Sequence, residues 1–278
     1  MLSNTVQGIT RVADLDTQRH VTSRTYESFC LEGRHALLAE HGFSIPKILE
    51  SGISIQPTHS FVKFLQQQMA GATLNIITRA YPSDDGSIAW EQRVEQLDGR
   101  VACELELRTV SKRNGSIEIL LPVSKETFEP HYRDLEVFSG NCARIANDYT
   151  TQYCDRDIFG SYGPAQLWKV FEEGRWMFCA RAGLTYERFV EMDTTSFYMG
   201  GVFNFYQPIP AGTKLRVETW IEEVEKIRFY FRQDVYSGDV LLMSLRDEQL
   251  IVSLKQARPR KAPPEFMSMI EKYVEKGA

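Results

Sequence analysis

The 278-residue sequence contains no apolar run approaching the roughly 18 residues that a membrane-spanning helix needs. Its opening, Met1-Leu2-Ser3-Asn4-Thr5, lacks the basic and apolar blocks of a secretory leader. Cysteine is scarce. The five (Cys30, Cys103, Cys142, Cys154, Cys179) are odd in number, widely spaced and never arranged as CxxC, which argues against a disulfide framework and against zinc. They read as buried free thiols of a protein in a reducing cytoplasm. A basic excess is also missing: 32 Lys and Arg stand against 37 Asp and Glu, a net charge of −5, so nucleic acid is a poor partner. Neither a metal nor a cofactor is expected. What remains, 43% hydrophobic and 25% charged residues, is an ordinary globular composition long enough for two modest domains.

The chain repeats itself. An offset of 141 residues carries Asp14-Leu15-Asp16 onto Asp155-Arg156-Asp157, Glu32-Gly33-Arg34 onto Glu173-Gly174-Arg175, and Gly42 onto Gly183. The same offset takes Gln66 to Gln207, Gly71 to Gly212, Leu74 to Leu215 and Thr78 to Thr219. One register held without a gap over this distance reads as two fused copies of one domain. The period is far longer than that of a solenoid repeat, so each copy can hold its own core.

Each copy predicts one long helix followed by an antiparallel meander. In copy one, Tyr26, Phe29, Cys30, Gly33, Leu37 and Leu38 form a stripe at helical spacing from about Ser23 to Glu40. In copy two, Leu167, Val170, Phe171, Gly174, Met177 and Phe178 repeat it. Gly42 and Gly183 stand where a C-terminal cap belongs. A glycine inside each helix costs about 1 kcal/mol against alanine, and its repetition implies close packing on a sheet. Strands are expected around Leu74–Thr78, Val101–Leu107, Leu215–Thr219 and Ile227–Val235, with hairpin turns at Asp98-Gly99 and Ser237-Gly238-Asp239. The tail from residue 263 is amphipathic, with Phe266, Met269, Ile270, Tyr273 and Val274 on one face.

The segment Asp14 to Ser23 concentrates chemistry just before a helix start. Asp16, Gln18, His20, Thr22 and Ser23 supply a carboxylate, an amide, an imidazole and two hydroxyls. A helix N-terminus offers free N–H groups and the positive end of the dipole, so a carbonyl there is polarised and an oxyanion stabilised. A carboxylate beside it can act as nucleophile or general base, which suits hydrolysis of an activated acyl group. The same residues also fit a plainer role, with Asp16 capping a turn, His20 on the surface and Thr22 or Ser23 as N-cap. His59 precedes an expected strand, Ser60–Phe64, and reads as a second imidazole near the site or a half-buried structural histidine. Glu-Gly-Arg in both helices fits ion pairing along the helix.

Asp16-x-x-x-His20-Val21, Tyr26 and Glu32-Gly33-Arg34 resemble the hotdog-fold thioesterases. The 4-hydroxybenzoyl-CoA thioesterase branch carries D-x-D-x-x-G-H-V-N-N-x-x-Y and then E-x-R, and the acyl-ACP thioesterases carry D-L-D-x-N-x-H-V-N-N. The resemblance covers roughly residues 6–125 and 147–262. It implies an α+β tandem double hotdog, each half an antiparallel sheet wrapped around one long central helix. The first domain would span 1–130, a linker 131–147, and the second domain, with a C-terminal helix, 148–278. It further implies a thioesterase of fatty-acid metabolism acting on acyl-CoA or acyl-carrier protein. Asp16 then matches the catalytic aspartate, Gln18 stands at an asparagine position, His20 matches the histidine, Thr22 and Ser23 replace Asn-Asn, and Ser23 is placed to donate the polarising amide. A homodimer of such chains, four hotdog units in all, is reasonable, since sheet edges and helix faces often seek a partner.

Copy two keeps Asp157 and Gly160 but has Ser161 at the histidine position and Pro164, which has no N–H, at the polarising position. It therefore reads as a degenerate partner, with Asp157 a secondary candidate. Two other functions fit the resemblance: a hotdog hydratase or dehydratase, and a non-catalytic acyl-CoA-binding protein.

Overall fold

The computed structural model describes residues 1–16, 19–137 and 140–275. It divides into two compact units, Met1–Arg133 with Cys154–Trp168, and Asp134–Tyr153 with Lys169–Ala278. The first holds β1 (Leu2–Ile9), α1 (Ser23–Glu40), α2 (Ile45–Glu50), β2 (Ile53–Phe64), β3 (Thr73–Pro82), β4 (Ser87–Gln96), β5 (Val101–Arg113) and the short β6 (Ser116–Ile117). Its antiparallel order is β1-β3-β4-β5-β2, with β6 on β5. The second holds β7 (Ile145–Thr150), most of α3 (Pro164–Arg181), α4 (Tyr186–Glu191), β8 (Thr195–Phe205), β9 (Lys214–Val224), β10 (Arg228–Ser237), β11 (Val240–Ser253), β12 (Arg258–Pro259) and α5 (Pro264–Ile270). Its order, β7-β9-β10-β11-β8 with β12 on β11, repeats the first. Helix α3 straddles the division, its first residues counting with the first unit. No described helix is long and apolar enough to cross a membrane.

The duplication extends to individual hydrogen bonds. Both long helices end in the same glycine cap: Phe43 N–H donates to Leu38 O at 2.9 Å and Gly42 N–H to Ala39 O at 3.0 Å, while Leu184 and Gly183 bond Cys179 and Ala180 at 2.8 and 3.2 Å. Gly42 and Gly183 take φ of 87° and 81°, the left-handed conformation such a cap requires. Thr10 donates its hydroxyl to Met69 O at 2.6 Å and accepts Ala72 N–H at 2.9 Å. Thr151 does the same with Pro210 O and Thr213 N–H, each at 2.8 Å.

The helix glycines are explained by what lies beneath them. A Cβ on Gly33 would overlap Thr78 Oγ1 and come within 3.2 Å of Ile76 and 3.3 Å of Gln92 Nε2. At Gly174 the crowding atoms belong to Gln233, Val217 and Thr219, the matching residues of copy two. Buried Gln92 donates to Cys30 O at 2.7 Å and Thr78 Oγ1 at 2.8 Å, and Gln233 donates to Phe171 O at 3.0 Å and Thr219 Oγ1 at 3.1 Å. Each central helix is thus stitched to its sheet by one glutamine amide at the point of closest approach.

The ion pairing expected of Glu-Gly-Arg needs a correction of partner. Glu32 and Glu173 are exposed. Arg34, 4% exposed, instead pairs one turn-pair back with Glu27, 1% exposed, and donates to Gln92 Oε1 at 2.6 Å. Arg175 reaches Asp247 on β11 at 3.0 Å. Burial pushes the Glu27 and Asp247 carboxyls up, against the pull of their arginines. The expectation of a single helix per copy is also incomplete: α2 and α4 follow the long helices, and α5 sets Phe266 and Ile270 into a cluster with Phe178, Phe229 and Tyr273.

Candidate active site

Asp14 opens the site segment as an anchor. Arg11 grips its carboxylate through its guanidinium at 2.8 and 3.1 Å and its N–H at 2.7 Å, which holds the Asp14 carboxyl below its usual range. Leu15 and Val21 then form an isolated bridge that closes a tight turn. Within it Asp16 N–H donates to His20 O at 2.8 Å, Arg19 N–H to Asp16 O at 3.0 Å, and His20 N–H to Asp16 Oδ1 at 2.9 Å. Asp16 is exposed and His20 half-buried, while Gln18 lies outside the described residues. Arg19 takes φ of 68° to close the turn.

Copy two builds the same turn. Asp157 N–H donates to Ser161 O at 2.8 Å, Gly160 N–H to Asp157 O at 3.1 Å, and Ser161 N–H to Asp157 Oδ1 at 3.1 Å. Gly160 has φ of 81°, so glycine stands where copy one has Arg19. Phe159 N–H adds a further bond to Oδ1 at 2.9 Å. Asp157 is half-buried, and that burial pushes its carboxyl up against the lowering pull of these backbone donors. Its other oxygen faces the helix start: a Cβ on Gly163 would lie 3.1 Å from Asp157 Oδ2 and 3.2 Å from Gln166 Oε1.

The helix starts differ in their donors. Thr22 occupies the N-cap of α1 without a side-chain capping bond, its hydroxyl lying 3.0 Å from Thr25 Oγ1 instead. Ser23 is the first helical residue, so its N–H and that of Arg24 precede any intrahelical acceptor. In copy two Pro164 opens α3 and contributes no N–H. Tyr26 packs beneath the start of α1, its ring 5.4 Å from Phe64, which also meets Trp168 at 6.3 Å.

The structure brings Asp16, His20, Thr22 and Ser23 together around one turn and one helix end. His59 is elsewhere. It sits beside the β2 bulge, paired with Arg108, on the sheet face opposite the Leu105 and Leu107 face that α1 covers. Its ring stacks on Tyr132 at 5.7 Å. Among the described residues no group of three or more His, Cys, Asp or Glu side chains is placed to hold a metal.

Residues 151–270 match the family model described as the Thioesterase-like superfamily. No curated protein sequence matches the chain. Solved structures match along nearly the whole chain. A candidate oleoyl thioesterase from Lactobacillus plantarum superposes with a TM-score of 0.72 at 11% identity, over 90% of this chain and 96% of that one. An acyl-ACP thioesterase from Bacteroides thetaiotaomicron gives 0.64 at 12% identity, over 89% and 97%. The 12:0-ACP thioesterase from Umbellularia californica gives 0.67 at 9% identity, over 93% and 94%. At such identities the likeness concerns the fold. With two matching sheet-and-helix units in one chain, the protein has a tandem double-hotdog fold, and its second copy is similar to the Thioesterase-like superfamily over residues 151–270.

Proposed function

We propose that the protein hydrolyses acyl thioesters, carried by CoA or by a carrier protein, with Asp16 as the acting carboxylate. The observation that carries this reading is the turn that holds Asp16 directly ahead of α1, whose start has no side-chain cap. A thioester carbonyl set against the Ser23 and Arg24 N–H groups is polarised by them and by the helix dipole. As general base, Asp16 takes a proton from water, the resulting hydroxide adds to the carbonyl carbon, the C–S bond breaks, and the proton passes to the departing thiolate. As nucleophile, Asp16 would itself displace the thiolate and form an anhydride that water then opens. His20 and Gln18 would orient water or substrate.

A second reading makes Asp157 the acting group. It is favoured by the half-burial that raises the Asp157 carboxyl, since a base poised nearer neutral pH is more effective, and by the oxygen it presents at the α3 start. Free-thiol release from a panel of acyl-CoAs and acyl-carrier proteins tests both. On the first reading Asp16→Asn lowers kcat at least about 10²-fold with KM within a few-fold, and Asp157→Asn costs less than about fivefold. The reverse pattern selects the second reading, and undiminished turnover by both variants refutes the carboxylate mechanism.

A further inference from the structure

The loop joining β2 to β3 is tied down on two sides. Thr10 holds residues 69, 71 and 72 through its hydroxyl and backbone, including Gly71 N–H to Thr10 O at 2.8 Å. Between these ties and β2, Val21 N–H donates to Gln68 O at 3.0 Å. Val21 in turn bridges Leu15, so the backbones of Gln68, Val21 and Leu15 run side by side. At ordinary strand spacing that places Gln68 within about 10 Å of the residue preceding Asp16, beside the start of α1.

Gln68 is 5% exposed, and its Nε2 is buried with no acceptor among the described residues. Leaving a donor in that state costs roughly 1–3 kcal/mol. The cost is avoidable, because copy two carries Ile209 at the matching position, 1% exposed. The slot therefore accepts an apolar side chain, and copy one bears a polar one against its own stability. Such an orphaned group in a native structure calls for a reason, and a ligand that supplies the missing acceptor is one. The asymmetry runs with the rest of the site. The copy with the glutamine has Ser23 at the helix start; the copy with the isoleucine has Pro164.

We infer that Gln68 is a further catalytic residue, whose side-chain N–H donates to the carbonyl oxygen of the bound acyl thioester alongside the α1 amides. This rests on the hydrolase reading above. The ligand group is a neutral carbonyl that gains negative charge as water adds. A neutral amide donor fixed beforehand serves it without bringing a second charge into a buried slot.

The test compares Gln68→Ile and Gln68→Glu with the parent protein in acyl-CoA hydrolysis, thermal melting, and affinity for an acyl-dethia-CoA, a ketone that keeps the carbonyl but cannot be hydrolysed. Removing one oxyanion donor typically costs about 10²–10³-fold in kcat. Both variants should lose at least about tenfold in kcat, and Gln68→Ile should melt no lower than the parent because its orphaned donor is gone. Activity within threefold of the parent overturns the assignment. So does a loss of activity that comes with a lower melting temperature in both variants, since a structural role moves the two together. If the parent hydrolyses nothing, the hydrolase reading falls and the ketone decides Gln68 separately. Binding weakened at least tenfold by Gln68→Ile upholds the donor; equal affinity, or no binding by the parent, overturns it.

Discussion

Replacing Gly33 with alanine should destabilise the protein, although the same change in an exposed helix stabilises by about 1 kcal/mol. The reason is the absence of room. The added methyl would overlap Thr78 Oγ1 and crowd Ile76 and Gln92 Nε2 at 3.2 and 3.3 Å. Overpacking of this kind costs about 1–3 kcal/mol. Displacing the Thr78 hydroxyl also strips Gln92 of an acceptor at 2.8 Å, and an unmet buried donor costs about 1–3 kcal/mol more. Set against the propensity gain, the net loss is about 1–5 kcal/mol. At roughly 2–4 °C per kcal/mol for units of this size, calorimetry should resolve the drop. Gly174→Ala should behave alike, because Gln233, Val217 and Thr219 crowd it in the same way. The two sites share no partner, so their effects should add. Thr78→Ala in the Gly33→Ala background should restore part of the loss by removing the overlapping hydroxyl. If Gly33→Ala melts at or above the parent temperature, the close approach is not what keeps glycine there.

Two further outcomes follow from local geometry. Burial, with Arg34 adding to it, pushes His35 down to about 4 from 6.5, so the folded protein holds it neutral where an unfolded chain binds a proton. Its contribution is therefore present above pH 6.5 and is lost as pH falls from there towards 4, by about 3 kcal/mol in all. Urea midpoints should fall over that range, and His35→Phe should flatten the fall; an unchanged profile would refute the assignment. At the twin turns, Gly160 has φ of 81° and open space around a notional Cβ, so Gly160→Ala should cost about 1–2 kcal/mol from backbone strain alone. Arg19→Gly, at φ of 68°, should stabilise by up to about 1 kcal/mol. Denaturation midpoints moving the other way would show that the turn is held differently.

The sequence made the long helices, their glycine caps and the duplicated sheet legible because each leaves a repeated mark: an apolar stripe, a glycine past its end, an identical residue 141 positions on. Gln92 and Gln233 keep that offset too, yet they were harder to see. They occupy inward strand positions, between Trp90 and Val94 in the first copy, where alternation predicts an apolar side chain. Strands β1 and β7 mix polar and apolar residues as sheet-edge strands do, and α2 and α4 are six residues long, too short for a helical period to emerge. The candidate segment stood out in the sequence as a run of polar groups ahead of a helix start, Asp16, His20 and Ser23 among them. The Asp14 anchor is a contact with Arg11 only three residues back, but nothing in the sequence singles it out from an ordinary exposed ion pair; the burial of Asp157 and the orphaned Gln68 amide depend on contacts far apart in the chain. The one hint for Gln68 in the sequence was the isoleucine at the matching position of the second copy, Ile209.

The membership of the first unit sets a timetable for the nascent chain. Met1–Arg133 is joined by Cys154–Trp168, and the intervening residues 134–153 belong to the other unit. A ribosome that has released the first 133 residues has not yet delivered everything the leading half needs. About 35 more must emerge, roughly 2–7 s of synthesis at ordinary elongation rates. During that interval the leading half waits for the segment that carries Asp157 and the first turn of α3. A stop codon placed at the boundary that the duplication suggests would leave it waiting permanently. The two copies align as repeats, yet the line between the compact units does not run where the repeat boundary does.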